Sequence, residues 1–289
     1  MFESFRLKSG GTGLLGYRWE AANPVAILCL LHGVGEHGGL FDGFAEILKA
    51  RGISVFSFDL RGHGGSAGRR GHTGPRDAVL RDTDSLIAYA RDAHGALPIV
   101  LYGHSLGGNI ALDYRLRGPL SALPAAYIAA SPWLALCQPI PKWLYCFVKV
   151  AARCKPDFGL AAGLGADLVG NAQILEAMRG DRLIHDRISV LTALESYETA
   201  DDLMHGRIVD CHGGGEKPLF LMHGTADGIC PIEATRAFAA AEGARCTLIE
   251  WEGYPHELHM GGQGRPGAAV AERTAEIVSR FRNRATGPA

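Results

Sequence analysis

The sequence predicts an α/β protein in which a mainly parallel central sheet is covered by helices on both faces and carries a helical lid insertion. Short apolar runs alternate with helical patterns along most of the 289 residues. Continuous apolar runs are typical of parallel strands that are buried on both faces. Hydrophobic residues make up 47% of the chain and charged residues only 20%, which is enough apolar surface for a large core.

The predicted strands begin with a hairpin at residues 2–7 and 14–19, around a glycine-rich turn. Six further apolar runs are predicted as fully buried strands, at residues 25–31, 53–58, 99–102, 126–130, 219–222 and 246–251. Apolar residues at three- and four-residue spacing predict helices at residues 42–50, 76–94, 107–117, 232–241 and 268–282. This alternation indicates a doubly wound sheet.

One interval, between Ser131 and Lys217, breaks the alternation. It contains only helical pieces rich in Leu, Ala, Trp and Tyr, with interruptions at proline. We predict that residues 132–216 form a helical lid over the carboxyl edge of the sheet, where open α/β sheets bind their ligands. Residues 1–131 and 217–289 then form the core. An additional lobe with a purely structural role is the alternative.

Charge and cysteine usage exclude several classes of protein. Lys and Arg number 29 against 30 for Asp and Glu, a net charge of −1 without a basic block, so a nucleic-acid partner is not expected. The seven cysteines are scattered and never spaced as C-x-x-C, which argues against a disulfide framework and a zinc ribbon. Residues 1–9 lack the pattern of a signal peptide. We expect a cytoplasmic protein, at most peripherally associated with a membrane.

Two segments match the pattern Gly-x-Ser-x-Gly, centred on Ser66 and Ser105. Ser105 follows a predicted buried strand, precedes a predicted helix and is flanked by Gly103 and Gly107. This order is typical of a nucleophile elbow, a sharp turn that lifts the serine hydroxyl above the sheet. Ser66 instead lies in a loop that continues to Pro75 without an immediate helix. We therefore expect Ser105 to be the nucleophile and Ser66 to be a loop residue.

An ordered set of segments resembles the monoacylglycerol lipase and lysophospholipase branch of the α/β-hydrolase fold. The segments are HGVGEH at 32–37, DLRGHGGS at 59–66, GHSLGG at 103–108, HGTAD at 223–227 and GYPH at 253–256. Together they extend over most of the chain and are more specific than any single motif. The resemblance implies a serine hydrolase that cleaves carboxylic esters of lipid-like substrates through an acyl-enzyme, without a metal or cofactor.

Residue chemistry and this resemblance together identify Asp227 and His256 as the partners of Ser105. A serine hydroxyl becomes an effective nucleophile when a histidine takes its proton, and a buried carboxylate orients that histidine. Both residues follow predicted strands, so we expect them at the carboxyl edge of the sheet. His259 is the alternative base, and a turn residue without a catalytic role is the alternative interpretation of Asp227.

The sequence predicts no metal site. His256 and His259 are three residues apart, whereas the helical zinc motif places its histidines four apart. Cys211 and His212 are adjacent in a glycine-rich loop and do not complete a coordination sphere.

The resemblance implies that the backbone N–H groups of Val34 and Leu106 form the oxyanion hole. Cys230 also matches a family position, either as a thiol near the site or as a small core residue. Charged residues in loops more often brace the backbone than carry out chemistry, and three that match the family are interpreted in this way. They are Glu36, Arg61 and His63.

The predicted lid combines large apolar side chains with interleaved cations. We expect Trp133, Trp143 and Phe147 to bind the acyl chain of a small lipid-like ester, and medium or long monoacyl esters to be preferred over acetyl esters. The same composition is typical of a helix that makes peripheral contact with a membrane. A helix simply packed on the core is the alternative. The interleaved cations are Lys142, Lys149, Arg153 and Lys155.

Two other function classes stay open at the level of sequence. Residues 33–38 read Gly-x-Gly-x-x-Gly after a strand, and Asp59 ends the next strand 21 residues beyond Gly38, as in a dinucleotide-binding unit. Glu36 would, however, place a carboxylate in the phosphate cradle. The second class, a non-catalytic receptor or scaffold with a hydrolase fold, would normally lack one member of the triad.

Overall fold

The computed structural model describes residues 2–163, 172–262 and 264–282, and a central sheet organises the chain. The strands in chain order are β1 (Glu3–Ser9), β2 (Thr12–Trp19), β3 (Ala26–Leu31), β4 (Ile53–Phe58), β5 (Ile99–His104), β6 (Ala126–Ala130), β7 (Gly159–Leu160), β8 (Ile188–Ser189), β9 (Leu219–Gly224), β10 (Cys246–Trp251), β11 (Gly261–Gly262) and β12 (Arg265–Pro266). Eight of them form the central sheet in the order β1-β2-β4-β3-β5-β6-β9-β10. The pairs β7–β8 and β11–β12 stand apart.

The strands from β4 to β10 in this order pair in parallel, and the hairpin β1–β2 pairs antiparallel to β4 at one edge. The mainly parallel sheet and its opening hairpin are therefore confirmed. The expectation that β10 is fully buried was wrong. Its residues are partly exposed because β10 is the other edge strand, with β9 as its sole partner in the sheet.

The helices are α1 (Asp42–Ala50), α2 (Arg76–His94), α3 (Leu106–Arg117), α4 (Lys142–Cys154), α5 (Ala172–Gly180), α6 (Val190–Met204), α7 (Ile232–Glu242) and α8 (Gly267–Ser279). Alternate residues of β3 enter two different cores, as the period of a strand requires. Ile27 and Cys29 pack with residues of α2, α3 and α7, whereas Leu28 and Leu30 pack with residues of α1 and α8. Helices therefore cover both faces of the sheet, as predicted.

The segment between β6 and β9 contains α4, α5 and α6 together with the short pair β7–β8. The sequence predicted helices alone here, because two-residue strands carry no recognisable pattern. Residues 164–171 of the predicted lid lie outside the described residues. Along the parts of the chain that the structure describes, every helix is too short or too polar to cross a membrane.

Candidate active site

Ser105 stands at the sharp turn between β5 and α3. Its φ of 53° is in the left-handed region, which is rare for a residue other than glycine and indicates backbone strain. Two glycines permit this turn. A Cβ atom on Gly103 would lie 2.0 Å from the carbonyl oxygen of Gly107, and one on Gly107 would lie 2.2 Å from that of Leu31. The local geometry is that of a nucleophile elbow.

Asp227 and His256 are brought together from the loops that follow β9 and β10. The Nδ1–H of His256 donates to Oδ2 of Asp227 over 2.7 Å, and both side chains are buried. The other oxygen, Oδ1, accepts from the backbone N–H groups of Ile229 and Cys230 over 2.8 and 2.9 Å. These bonds fix the carboxylate, and the carboxylate fixes the tautomer and orientation of the imidazole.

The electrostatics of this pair favour its ionised form. Burial alone would raise the pKa of Asp227, but the charge of His256 and hydrogen bonds from His256 and His223 hold that pKa well below its ordinary value. Burial would likewise lower the pKa of His256, but the Asp227 carboxylate outweighs burial and raises it. An imidazolium formed at His256 would therefore be stabilised by its neighbour.

Two supporting residues were missed in the sequence analysis. The Nε2 of His223 lies 3.0 Å from Oδ2 of Asp227, and its Nδ1 lies 2.8 Å from the hydroxyl of Thr235. Ser131, also at positive φ, donates its hydroxyl to the carbonyl oxygen of His256 over 2.9 Å. His223 lies near the end of β9 and Ser131 directly follows β6, at the sheet edge where Ser105 lies. This position in the sequence was the available signal for both residues.

The loop after β3 lies directly against Ser105. A Cβ atom on Gly33 would be 3.1 Å from Cβ of Ser105. The Gly33 N–H donates to Oε2 of Glu36 over 2.6 Å, so Glu36 braces the loop that carries Val34. Burial and the nearby Glu257 raise the pKa of Glu36 to about 8. Leu106, the second predicted oxyanion residue, is the first residue of α3.

A cavity of about 250 Å³ opens onto Ser105 and His256. Apolar side chains from both the core and the segment between β6 and β9 dominate its wall. On the core side it is lined by Gly33, Val34, Glu36, Ser105, Ile229, Cys230, His256 and Glu257. The segment between β6 and β9 contributes Trp133, Leu136, Leu144, Tyr145, Val148, Leu160, Ile188 and Leu194.

Of the three predicted substrate-binding residues, one lies at the cavity and two lie at the surface. Trp133 lines the cavity, but Trp143 and Phe147 are 72% and 53% exposed and are not among the lining residues. Helix α4 presents Leu144 and Val148 to the cavity instead. Trp143 and Phe147 are four residues apart and therefore lie on one stripe of the helix, and this stripe faces solvent.

Ser66, in the second Gly-x-Ser-x-Gly motif, and Asp59, the acidic residue expected of a dinucleotide-binding unit, both make structural hydrogen bonds. The hydroxyl of Ser66 donates to the carbonyl oxygen of Asp59 and accepts from the N–H of Leu15. Asp59 is buried, and its carboxylate accepts from the Tyr17 hydroxyl and from the N–H groups of Gly38 and Gly65. With its oxygens already bonded in this way, Asp59 does not present a free carboxylate to a ribose.

The remaining candidates from the sequence have clear positions. Cys230 is buried and lines the cavity, while Cys211 and His212 are exposed in their loop. Arg61 forms an ion pair with Asp82, and the Nδ1–H of His63 lies 2.9 Å from the carbonyl oxygen of Arg61. His259 is buried, with its ring stacked on Phe41.

Known proteins that are similar to this chain identify its family. The profile of the family described as serine aminopeptidase, S33, matches residues 22–262. A monoacylglycerol lipase of Mycolicibacterium smegmatis is 26% identical, over 78% of this chain and 79% of that protein. Phospholipase YtpA of Bacillus subtilis is 28% identical, over 84% of this chain and 92% of that protein.

Two other relatives are longer than this chain, and a further similar protein has a solved structure. The chain spans 63% of a putative monoglyceride lipase of Schizosaccharomyces pombe and 24% of an abhydrolase domain-containing protein of Dictyostelium discoideum. The crystal structure of the Paleococcus ferrophilus monoacylglycerol lipase superposes with a TM-score of 0.81 at 27% identity, over 93% of this chain and 99% of that one. The chain therefore belongs to the serine aminopeptidase S33 family and is an α/β-hydrolase of the monoacylglycerol lipase-like type.

Proposed function

We propose that this protein is a carboxylic ester hydrolase that cleaves monoesters of lipids, of the monoacylglycerol or lysophospholipid kind. The observation that carries the proposal is the apolar cavity that opens onto Ser105 and His256. The names of the relatives, which include monoacylglycerol lipases and a phospholipase, support the same class of substrate.

In the proposed mechanism, His256 takes the proton of Ser105 as the serine oxygen attacks the ester carbonyl. Asp227 orients His256 and stabilises the imidazolium that forms. The backbone N–H groups of Val34 and Leu106 donate to the oxyanion of the tetrahedral intermediate. His256 then protonates the departing alcohol, leaving an acyl-enzyme at Ser105. A water molecule, deprotonated by His256, releases the acid.

The size of the cavity favours one acyl chain over three. A cavity of about 250 Å³ is small beside the range of about 300–1,000 Å³ that is common for ligand pockets. Each methylene buried against its apolar wall is worth about 0.8 kcal/mol. We therefore infer a preference for medium or long monoacyl esters over both acetyl esters and triacylglycerols.

We also propose that residues 132–216 act as a lid whose outer face touches lipid surfaces. Helix α4 contains no acidic residue, and it exposes Trp143, Phe147 and Val150 to solvent. Aromatic side chains that enter the acyl boundary, beside cations that meet headgroups, are typical of interfacial helices. Lys142 and Arg153 provide such cations at the two ends of the helix.

The catalytic proposal is tested by comparing Ser105→Ala with Ser66→Ala, since both serines occupy a Gly-x-Ser-x-Gly motif. Turnover of monooctanoylglycerol and of a lysophosphatidylcholine is measured per folded molecule. We expect Ser105→Ala to lose on the order of 10⁴-fold or more in kcat, as when a triad serine is removed, and Ser66→Ala to keep its turnover. Activity retained in Ser105→Ala would overturn the proposal.

The membrane contact is tested by sedimentation with anionic vesicles. We expect wild-type protein to pellet with the vesicles and the double variant Trp143→Ala/Phe147→Ala to stay largely in the supernatant. Val209→Ala is the matched control, because Val209 is an apolar side chain that is 75% exposed outside α4. Equal pelleting of all three proteins would refute contact through α4.

A further inference from the structure

A cluster of four ionisable side chains lies behind His256, at the carboxyl edge of the sheet. Glu36 follows β3, His104 ends β5, and Glu257 and His259 follow β10. All four side chains are buried, with 3% or less of each exposed. The proposed mechanism gives no chemical step to any of them.

Nitrogen and oxygen atoms of three of these residues lie close together without a hydrogen bond of good geometry to any described residue. They are Nε2 of His104, Nδ1 of His259 and Oε2 of Glu257. Buried polar atoms without such bonds are rare and costly, and each one calls for an explanation such as a bound ion. Three of them within 4.8 Å of one another point to a ligand that binds them together.

The distances between these atoms suit a common centre. The Oε2 of Glu257 lies 3.0 Å from Nε2 of His104 and 3.4 Å from Nδ1 of His259. The three residues can offer ligand atoms that all lie within 4.8 Å of one another. Two ligands bound tetrahedrally to zinc at about 2.0–2.1 Å are about 3.3 Å apart. The Oε1 of Glu36 lies 4.0 Å from Nε2 of His104, next to this group.

The charges also fit a divalent cation. Across the described residues, neither Glu36 nor Glu257 forms an ion pair with a lysine or arginine; their ion pairs are with histidines. Buried carboxylates are normally paired or bound to a metal. Two imidazole nitrogens with a carboxylate oxygen form a donor set that zinc uses in proteins.

We propose that His104, Glu257 and His259 form a zinc-binding site. The prediction from sequence considered only histidines close together in the chain. This donor set instead joins β5 to the loop after β10, so it could be recognised only after folding.

The site has an entrance and lies beside the proposed catalytic base. Glu36 and Glu257 line the cavity that leads to Ser105, so an ion can reach the cluster through it. The rings of His104 and His256 have centroids 5.0 Å apart.

Metal binding is measured on the full chain after treatment with a chelator. Equilibrium dialysis against zinc chloride, with metal content determined by mass spectrometry, gives the affinity and stoichiometry. We expect Ser105→Ala to bind zinc like the wild type, which separates the result from the proposed catalysis. Cobalt(II) is the spectroscopic probe, and we expect the strong visible absorption of a tetrahedral site. Absence of a tight zinc site in the wild type, or only the weak absorption of octahedral cobalt, would overturn the proposal.

Two variants locate the site. Glu257→Gln keeps the size of the side chain, and His259→Phe keeps an aromatic ring against Phe41. Each should weaken zinc binding by about 100-fold or more, since losing a ligand costs at least as much as losing a residue that supports one. The double variant Cys211→Ser/His212→Ala, in an exposed loop, is the control and should bind like the wild type. Unchanged affinity in Glu257→Gln and His259→Phe, both with native circular dichroism, would exclude the cluster as the binding site.

Discussion

At the scale of single residues, the turn at Ser105 depends on the absence of a Cβ atom at its two glycines, Gly103 and Gly107. Replacing Gly103 by alanine would place a Cβ atom 2.0 Å from the carbonyl oxygen of Gly107. We expect Gly103→Ala to lower the free energy of unfolding by about 3 kcal/mol, as overpacking does, and to reduce activity. Gly43→Ala is the matched control.

The control position lies in α1, and a Cβ atom there meets nothing within 4 Å. Since alanine is the better helix former, Gly43→Ala should leave stability unchanged or raise it by up to about 1 kcal/mol. Urea denaturation of both variants makes the comparison. Equal stability of Gly103→Ala and the wild type would contradict the close approach of the two backbones.

Asp227 should control the acidic side of the pH profile. In the proposed mechanism hydrolysis needs a neutral His256, and the carboxylate of Asp227 raises the pKa of that histidine, so activity should fall as the pH drops through this raised value. In Asp227→Asn the carboxylate is absent, so the acidic limb of kcat/KM should move to lower pH. The rate at the optimum should also fall by about 10⁴-fold, as in other triads. If the acidic limb of Asp227→Asn stayed at the wild-type pH, a group other than Asp227 would determine the position of that limb.

The residues that could be predicted from sequence are those within local motifs. Ser105 was predicted from a short pattern between a strand and a helix, and Asp227 and His256 were predicted from such patterns together with the family resemblance. Ser131 lies in no such motif; its position after β6 was the available signal, while its partner His256 is 125 positions away in the chain. Glu257 was passed over for the same reason, since its significance depends on His104 in another strand.

At the scale of elements, the two faces of α4 should have separable roles. Leu144 and Val148 line the cavity, so Leu144→Ala/Val148→Ala should weaken the rise in kcat/KM as the acyl chain of a nitrophenyl ester grows from two to eight carbons. Trp143→Ala/Phe147→Ala removes more apolar surface, but from the outer face. That variant should keep the wild-type chain-length dependence on soluble esters.

Acetyl ester hydrolysis should be nearly unchanged in both double variants, because the proposed triad and oxyanion residues lie outside α4. The opposite pattern, with the outer pair controlling chain length, would mean that α4 turns during catalysis. Steady-state kinetics over the ester series decides between the two patterns.

The contrast within α4 shows what a sequence pattern can predict about an element. The helix and its amphipathic character were predictable from apolar spacing and interleaved cations. The face that covers the cavity was not, because the largest aromatic side chains, Trp143 and Phe147, point to solvent. Strand β10 is a similar case, since its apolar run does not reveal that it lies at the edge of the sheet.

At the scale of the whole molecule, a buried ion pair joins α2 to α3. The Nε–H of Arg76 donates to Oδ2 of Asp113 over 2.6 Å, with both side chains buried. Burial alone would raise the pKa of Asp113, but Arg76 and Arg117 outweigh it and lower that pKa. The pair therefore contributes stability above the ordinary pKa of about 4, and this contribution is lost as the pH falls through the lowered value.

Asp113→Asn should lower the free energy of unfolding at pH 7 by about 3–5 kcal/mol, because it leaves the buried Arg76 without its charge partner. The control is Glu272→Gln, which breaks the exposed ion pair with Arg51 and should cost less than about 1 kcal/mol. Denaturant titrations of both variants at pH 7 give the comparison. A loss for Asp113→Asn as small as that of Glu272→Gln would contradict this role of the pair.

The central claim is that Ser105 is the activated nucleophile of an ester hydrolase, and covalent labelling tests it most directly. A fluorophosphonate reacts with a serine only where a base and an oxyanion hole act on it. Peptide mapping of the labelled, folded wild-type protein should find one adduct, on Ser105, and none in Ser105→Ala. An adduct on another serine such as Ser66, or no adduct in folded protein, would contradict the claim.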